Sequence, residues 1–218
     1  MTIGLILGWT GPDMAAQYRE SDLSDSDRAR EAGIRGPRRL LDWQVSRALL
    51  ADMRQLGAGG EIAMSLSHSA GHALCACAPS TWKVGVDLER IRERDVRAFA
   101  QLTCNESEQL ALERLAGQQH LEFFHVLWTL KEAFIKAAGL SFPADMPAVG
   151  LDLSANETGV LRAPSEGWQA RVFRVHSDWV AAVAWQQGAG DYAGEDVEPI
   201  WHGGTVAALP LCRQIGVW

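Results

Sequence analysis

The sequence predicts an α+β protein made of two α+β halves packed together. Three observations carry this. Several short runs alternate apolar with small or polar residues, and other stretches repeat apolar residues at helical spacing. The order strand, helix, hairpin over the first eighty residues then recurs as strand, helices, hairpin over the rest. The division falls near residue 80, giving an N-terminal half, 1–80, and a C-terminal half, 81–218, with no long linker or low-complexity tract between them.

Met1 to Trp9 is apolar, too short for a signal-peptide hydrophobic region, and reads as a first strand. In the polar stretch Ser21 to Arg30, Ser24 stands three residues before Asp27 and suits the N-cap of a short helix. Gly36-Pro37 breaks the chain, and a longer helix runs from Arg38 to about Leu56, its stripe formed by Leu40, Trp43, Ser46/Arg47 and Leu50. Gly57 to Gly60 is a turn. Glu61 to Ser69 and Ala73 to Ala78 pair as a hairpin across Ala70-Gly71-His72.

Trp82 to Arg90 is the next strand, with Val84, Val86 and Leu88 alternating with Gly85, Asp87 and Glu89. Arg90 to Arg97 is charged and expected to face solvent. Asn105, with Glu108 three residues on, caps a helix through about Leu115 that Gly117 ends. A strong helix follows up to Gly139. Phe123, Leu127, Leu130, Phe134 and Ala138 form its core stripe, and Glu132 lies almost opposite, with Trp128 one turn before it and Lys136 one turn after. Strands are expected at Gly150 to Ser154, Trp168 to Val175 and Trp179 to Trp185, the last two joined by His176-Ser177-Asp178. The tail after about Gln186 carries no readable pattern.

With 47% hydrophobic and 22% charged residues, the chain can bury a real core as an ordinary globular protein. Its net charge of −7 argues against a general nucleic-acid binder, and no apolar run approaches the ~18–20 residues that cross a bilayer. Cys75, Cys77, Cys104 and Cys212 form no CxxC pair and no ligand spacing with histidine, so neither a disulfide framework nor a zinc site is indicated. A cytoplasmic protein, without membrane or nucleic-acid partners, is the expectation.

Four groups of residues bear chemistry. Asp87 and Glu89 share one face of a strand, where two carboxylates repel unless solvent screens them or a hard divalent cation such as Mg²⁺ binds both. Glu132 and Lys136 are four apart on a helix, which is either a solvent ion pair or a charged working face. The chain has only 3 lysines, Lys83, Lys131 and Lys136, against 17 arginines, so a lysine chosen here suggests a compact charge able to approach phosphate. Arg28, Arg30, Arg35, Arg38 and Arg39 concentrate positive charge, either as a solvated face or as a phosphate contact. Ser67-His68-Ser69 ends a strand, where the triplet either satisfies a turn or receives an anion. If the Glu132 helix packs beside the Asp87 strand, Mg²⁺ has three carboxylates, and Lys136 and the arginines have phosphate oxygens to neutralise. That inventory suits phosphoryl-type transfer.

Gly85-Val86-Asp87-Leu88-Glu89 matches the pattern G-[IV]-D-[IVL]-E. Trp128 to Lys136 matches W-[ST]-x-K-E-[AS]-x-x-K, and Leu66-Ser67-His68-Ser69 lies upstream in the right order. Over roughly residues 20 to 185 the chain resembles the 4′-phosphopantetheinyl transferases of the larger, pseudodimeric, surfactin-synthetase-activating type. The resemblance implies two similar α+β halves forming a pseudodimer with the active site between them, and transfer of the phosphopantetheine arm of coenzyme A to a serine of an apo acyl or peptidyl carrier protein, releasing 3′,5′-ADP, in secondary metabolite biosynthesis among other pathways. It implies that Asp87, Glu89 and Glu132 bind Mg²⁺, that Glu132 is the base, and that Lys136 contacts the pyrophosphate. Ser67 and His68 would contact coenzyme A phosphates, Arg38 or Arg39 the 3′-phosphate, and the pseudodimer would act as a monomer. Family members usually carry a Gly-Lys-Pro segment before the Ser-His-Ser strand. Here the interval Ala51 to Met64 has neither Lys nor Pro, which leaves Arg54 or the arginine cluster to supply that contact. Two other readings share these residues. One is a non-catalytic relative that binds carrier protein or coenzyme A, and the other is a divalent-metal nucleotide hydrolase.

Overall fold

The structure, a computed structural model, describes residues 4–57, 61–154, 159–188, 196–202 and 213–218. The turn expected at Gly57 to Gly60 and the thiol of Cys212 fall wholly or partly outside them.

The first half builds on β1 (Ile6–Thr10), α1 (Asp25–Glu31), α2 (Pro37–Gln55) and the hairpin β2 (Ile62–Ser69) and β3 (His72–Pro79). The second uses β4 (Lys83–Arg90), α3 (Val96–Thr103), α4 (Glu106–Glu113), α5 (Gly117–Ala138), the small ribbon β5 (Gly150–Asp152) and β6 (Val160–Arg162), and the hairpin β7 (Trp168–Val175) and β8 (Trp179–Gln186). In each half the first strand pairs antiparallel with the last strand of the hairpin, so β2-β3-β1 and β7-β8-β4 have the same order. This is the repeat expected from the sequence. Between these strands and their hairpins lie the principal helices, α2 and α5.

Strand alternation distributes the core between three layers of side chains. Leu74, Ala76 and Ala78 of β3 face Val84, Val86 and Leu88 of β4 and Ala181, Val183 and Trp185 of β8, filling the space between the two sheets. Ala73, Cys75 and Cys77 point the other way, onto Val45, Leu49 and Met53 of α2. Ala182 and Ala184 meet Leu127, Leu130 and Phe134 of α5. Full burial of each such large side chain contributes on the order of 1.5–3 kcal/mol, so α5 is held to its sheet by its apolar stripe. At one margin β2 and β4 meet, and the Val86 amide donates to Ser65 Oγ at 3.0 Å. A two-residue turn allows the β2-β3 reversal, with Ala70 at φ 45° and Gly71 at φ 80°.

Several expectations change. The tail is structured where it is described: β9 (Ile200–Trp201) lies parallel to β1 and β10 (Arg213–Val217) antiparallel to β7, one extra strand for each sheet. Residues 200–201 therefore return to the sheet of the first half. Gly117 opens α5 at φ 55° instead of ending α4. The stretch after Arg90 holds an unforeseen helix, α3, capped by Asp95, whose side chain accepts from the Ala98 amide. The capping box of Asn105 and Glu108 and the Ser24 cap form as expected. Leu40 is exposed, because α2 turns Trp43, Val45, Ser46, Leu49 and Met53 inward instead. No helix among the described residues is long and apolar enough to cross a membrane.

Candidate active site

Glycine brings the two chemistry-bearing elements together. A Cβ on Gly85 would lie 2.1 Å from the Ala133 carbonyl oxygen and 2.5 Å from the Ala137 nitrogen, so β4 and α5 touch backbone to backbone here. Strand period then turns Asp87 and Glu89 toward the same side as Gly85, and helix period presents Glu132 and Lys136 beside Ala133 and Ala137. The packing that the sequence made conditional is present.

Asp87 is buried, and its Oδ1 accepts from Lys136 Nζ at 2.8 Å and from Ser67 Oγ at 2.9 Å. Lys136 Nζ also donates to Ser67 Oγ at 3.1 Å, closing a triangle between β2, β4 and α5. The second carboxylate oxygen, Asp87 Oδ2, is buried without a hydrogen-bond partner. Glu89 and Glu132 flank this centre. Burial, then the charge of Asp87, raises the pKa of each above the ordinary carboxylate value, while Arg94 opposes the shift at Glu89 and Lys136 at Glu132. Arg94 Nη2 reaches Glu89 Oε2 at 3.4 Å. Solvent therefore does not supply the screening that Asp87 requires; a lysine does.

Ser67 and His68 separate to opposite faces of β2. Ser67 joins the Asp87 centre. His68 is exposed at the seam, close enough to Asp42, Arg47 and Lys136 to feel their charges, and partial desolvation lowers its pKa first, with Arg47 and Lys136 acting in the same direction. Arg47 pairs with the buried Asp27 at 2.9 Å and lies 4.3 Å over the Trp43 ring, which fastens α1 to α2. Arg38 and Arg39 stand exposed in the first turn of α2, and no hydrogen bond or ion pair joins them to the Asp87 centre among the described residues.

One motif residue differs from expectation. Trp128 is buried beneath Phe99, Phe124 and Phe142 instead of sharing an open face with Glu132, because α3 and the segment after α5 cover it. Lys131 is fully buried, 2.8 Å from Glu108, and donates to the Met146 carbonyl. Arg94, missed in the sequence, was hidden in a stretch whose other charged members do face solvent. A cavity of about 740 Å³ lies elsewhere, between α5 and β10, and none of Asp87, Glu89, Glu132 or Lys136 lines it.

Among the described residues no three His, Cys, Asp or Glu side chains are gathered tightly enough to hold a metal ion as they stand. The donor set is nonetheless of the kind a hard divalent cation takes, with an orphaned Asp87 oxygen and two carboxylates whose ionisation is opposed by their neighbours.

The 4′-phosphopantetheinyl transferase superfamily model matches residues 83–184, which contain this whole carboxylate centre. A holo-[acyl-carrier-protein] synthase of Levilactobacillus brevis is 30% identical over 95 residues, 43% of this chain and 77% of that protein. The chain belongs to the 4′-phosphopantetheinyl transferase superfamily. Within it, 4′-phosphopantetheinyl transferase gsp of Aneurinibacillus migulanus is 31% identical over 102 residues, 47% of this chain and 42% of its own length. The transferase HetI of Nostoc is 32% identical over 140 residues, 63% of this chain and 55% of its own. The chain thus spans about half the length of these two curated relatives. Asp87, Glu89, Glu132 and Lys136 all lie inside the segment that the superfamily model matches, whereas Arg38, Arg39, Ser67 and His68 precede it.

Proposed function

We propose that the protein transfers the 4′-phosphopantetheine arm of coenzyme A to a serine of an apo acyl or peptidyl carrier protein, with Mg²⁺, releasing 3′,5′-ADP. The observation that carries this reading is the triangle of Asp87, Ser67 and Lys136 with Glu89 and Glu132 beside it, formed where the two halves meet. Membership of the superfamily supports it.

In this reading Asp87, Glu89 and Glu132 hold the Mg²⁺, which supplies charge neutralisation for the pyrophosphate. Lys136 and His68 face the phosphate side of the same seam, and Ser67 orients Asp87 and Lys136. Exposed Arg38 and Arg39 are free to meet the 3′-phosphate. Glu132 takes the serine proton, and burial and the charge of Asp87 strengthen its hold on a proton, as a general base requires. A bond forms between the serine oxygen and the β-phosphorus, the bond from that phosphorus to the bridging oxygen breaks, and 3′,5′-ADP leaves with the bonding pair. Catalysis of this type rests on positioning and charge stabilisation. We further infer a monomeric, cytoplasmic enzyme that acts with no membrane or nucleic-acid partner.

Incubation with coenzyme A, Mg²⁺ and a panel of apo carrier proteins, read by intact mass, tests the proposal. Each true carrier gains one phosphopantetheine arm. Docking without any gain in mass supports the non-catalytic relative instead, and release of 3′,5′-ADP without a carrier supports the hydrolase.

A further inference from the structure

We propose that Lys136 is an internal counter-cation that competes with the divalent metal for Asp87, holding that carboxylate until the metal displaces the ammonium toward the phosphates. The inference rests on reading Asp87 as a metal ligand and goes beyond it by assigning an exchange between two cations.

The geometry supports an exchange instead of a permanent ion pair. Lys136 Nζ takes Asp87 Oδ1, the same oxygen that accepts from Ser67, while Oδ2 stays without a partner. A permanent partner for a carboxylate only 7% exposed would be expected to leave neither oxygen orphaned. Lys136 also differs from Lys131, the other lysine of α5. Lys131 is locked at 0% exposure between Glu108 and two backbone carbonyls. Lys136 lies in the last turn of α5, its side chain 32% exposed, and among the described residues it donates to Asp87 and Ser67.

Electrostatics sets the direction of the competition. An ammonium 2.8 Å from Asp87 lowers the attraction of that carboxylate for a second cation. Phosphate oxygens arriving with the metal provide the displaced ammonium with a new partner. Arginine is poorly suited to this exchange, because its broad fork cannot leave one oxygen as readily as a compact ammonium.

The test uses the full chain without coenzyme A. Mn²⁺, a spectroscopic stand-in for Mg²⁺, is titrated into the wild type, Lys136→Met and Lys136→Arg, and binding is read by electron paramagnetic resonance. The exchange predicts that Lys136→Met binds Mn²⁺ about tenfold tighter than wild type, and that Lys136→Arg binds no tighter. A second measurement needs no variant. With only three lysines in the chain, acylation mapped by mass spectrometry follows Lys136 against exposed Lys83, while buried Lys131 stays unlabelled. Saturating Mg²⁺ should raise labelling at Lys136 several-fold and leave Lys83 unchanged. Equal or weaker Mn²⁺ binding by Lys136→Met, or labelling indifferent to Mg²⁺, overturns the exchange. If carriers still gain the arm in that case, the transferase reading stands and the exchange alone fails. If the wild type neither binds Mn²⁺ nor modifies any carrier, both fall.

Discussion

Lys131 Nζ lies 2.8 Å from Glu108 Oε2, and neither side chain is exposed. Glu108 also receives the Asn105 and Leu151 amides and lies 3.3 Å from Arg162 Nη2, so a single buried carboxylate joins α4, α5 and β5. The positive φ of Gly150 lets the chain pass this cluster, since a Cβ there would sit 2.4 Å from Glu108 Oε1. Replacing Lys131 with Met leaves Glu108 short of its nearest cation, which should cost on the order of 3–5 kcal/mol, an upper range because Arg162 remains. Denaturant unfolding measures the loss. The folded fraction should retain its KM for coenzyme A, whereas a raised KM at full folding would give Lys131 a binding role.

The contact between β4 and α5 makes its own prediction. Gly85→Ala inserts a methyl group where the Ala133 carbonyl stands 2.1 Å away, and neither backbone can yield without separating strand from helix. We expect a loss of about 1–3 kcal/mol. Transfer should fall further than stability does, because the separation moves Asp87 and Glu89 from Glu132 and Lys136. Thermal melting and transfer rate, measured on the same preparation, distinguish this from an ordinary core defect.

His125 gives the fold a pH dependence. The side chain is fully buried, Nδ1 meets the Leu121 carbonyl oxygen at 2.8 Å, and Nε2 has no partner. Burial first, with Arg94, Arg92 and Arg174 adding to it, lowers its pKa to about 4. Between that value and the ordinary ~6.5, the unfolded chain binds the proton and the folded chain does not. Stability from this group is therefore full above about pH 6.5 and is lost as pH falls through that window, by about 3 kcal/mol in all. His125→Gln should flatten the slope of unfolding free energy between those limits, and an unchanged slope would mean that another group carries it.

Arg38 and Arg39 should separate binding from chemistry. Both are exposed in the first turn of α2, outside the Asp87 centre. Replacing either with Ala should raise the KM for coenzyme A more than it lowers kcat. Steady-state kinetics at saturating carrier protein reads the split, and a pure loss of kcat would contradict the 3′-phosphate role.

Much of this was legible in the sequence because local rules and tertiary packing agree. The alternation in Val84 to Glu89 sets which residues meet α5, and the Ser24 and Asn105 caps form at the positions their spacing indicates. The faces of α5 were harder to read. Helical period put Trp128 and Glu132 together, but α3 and Phe142 cover Trp128, and no periodicity within α5 encodes a neighbour. The partner of Lys131 was not legible, because Glu108 serves the Asn105 cap as well. The tail was unreadable because β9 is two residues long and pairs with β1, almost two hundred residues earlier. Arg94 was concealed by its charged neighbours, since sequence alone does not tell which of several arginines turns inward to Glu89.

The central claim is that Glu132 acts with Asp87 and Glu89 in transfer. Its most direct test is the rate of phosphopantetheine transfer by Glu132→Gln, a nearly isosteric change at a half-buried position away from the core stripe. Transfer should be nearly abolished while the melting temperature stays close to that of the wild type. Near-native turnover by a folded Glu132→Gln protein would contradict the assignment of Glu132 as base and metal ligand.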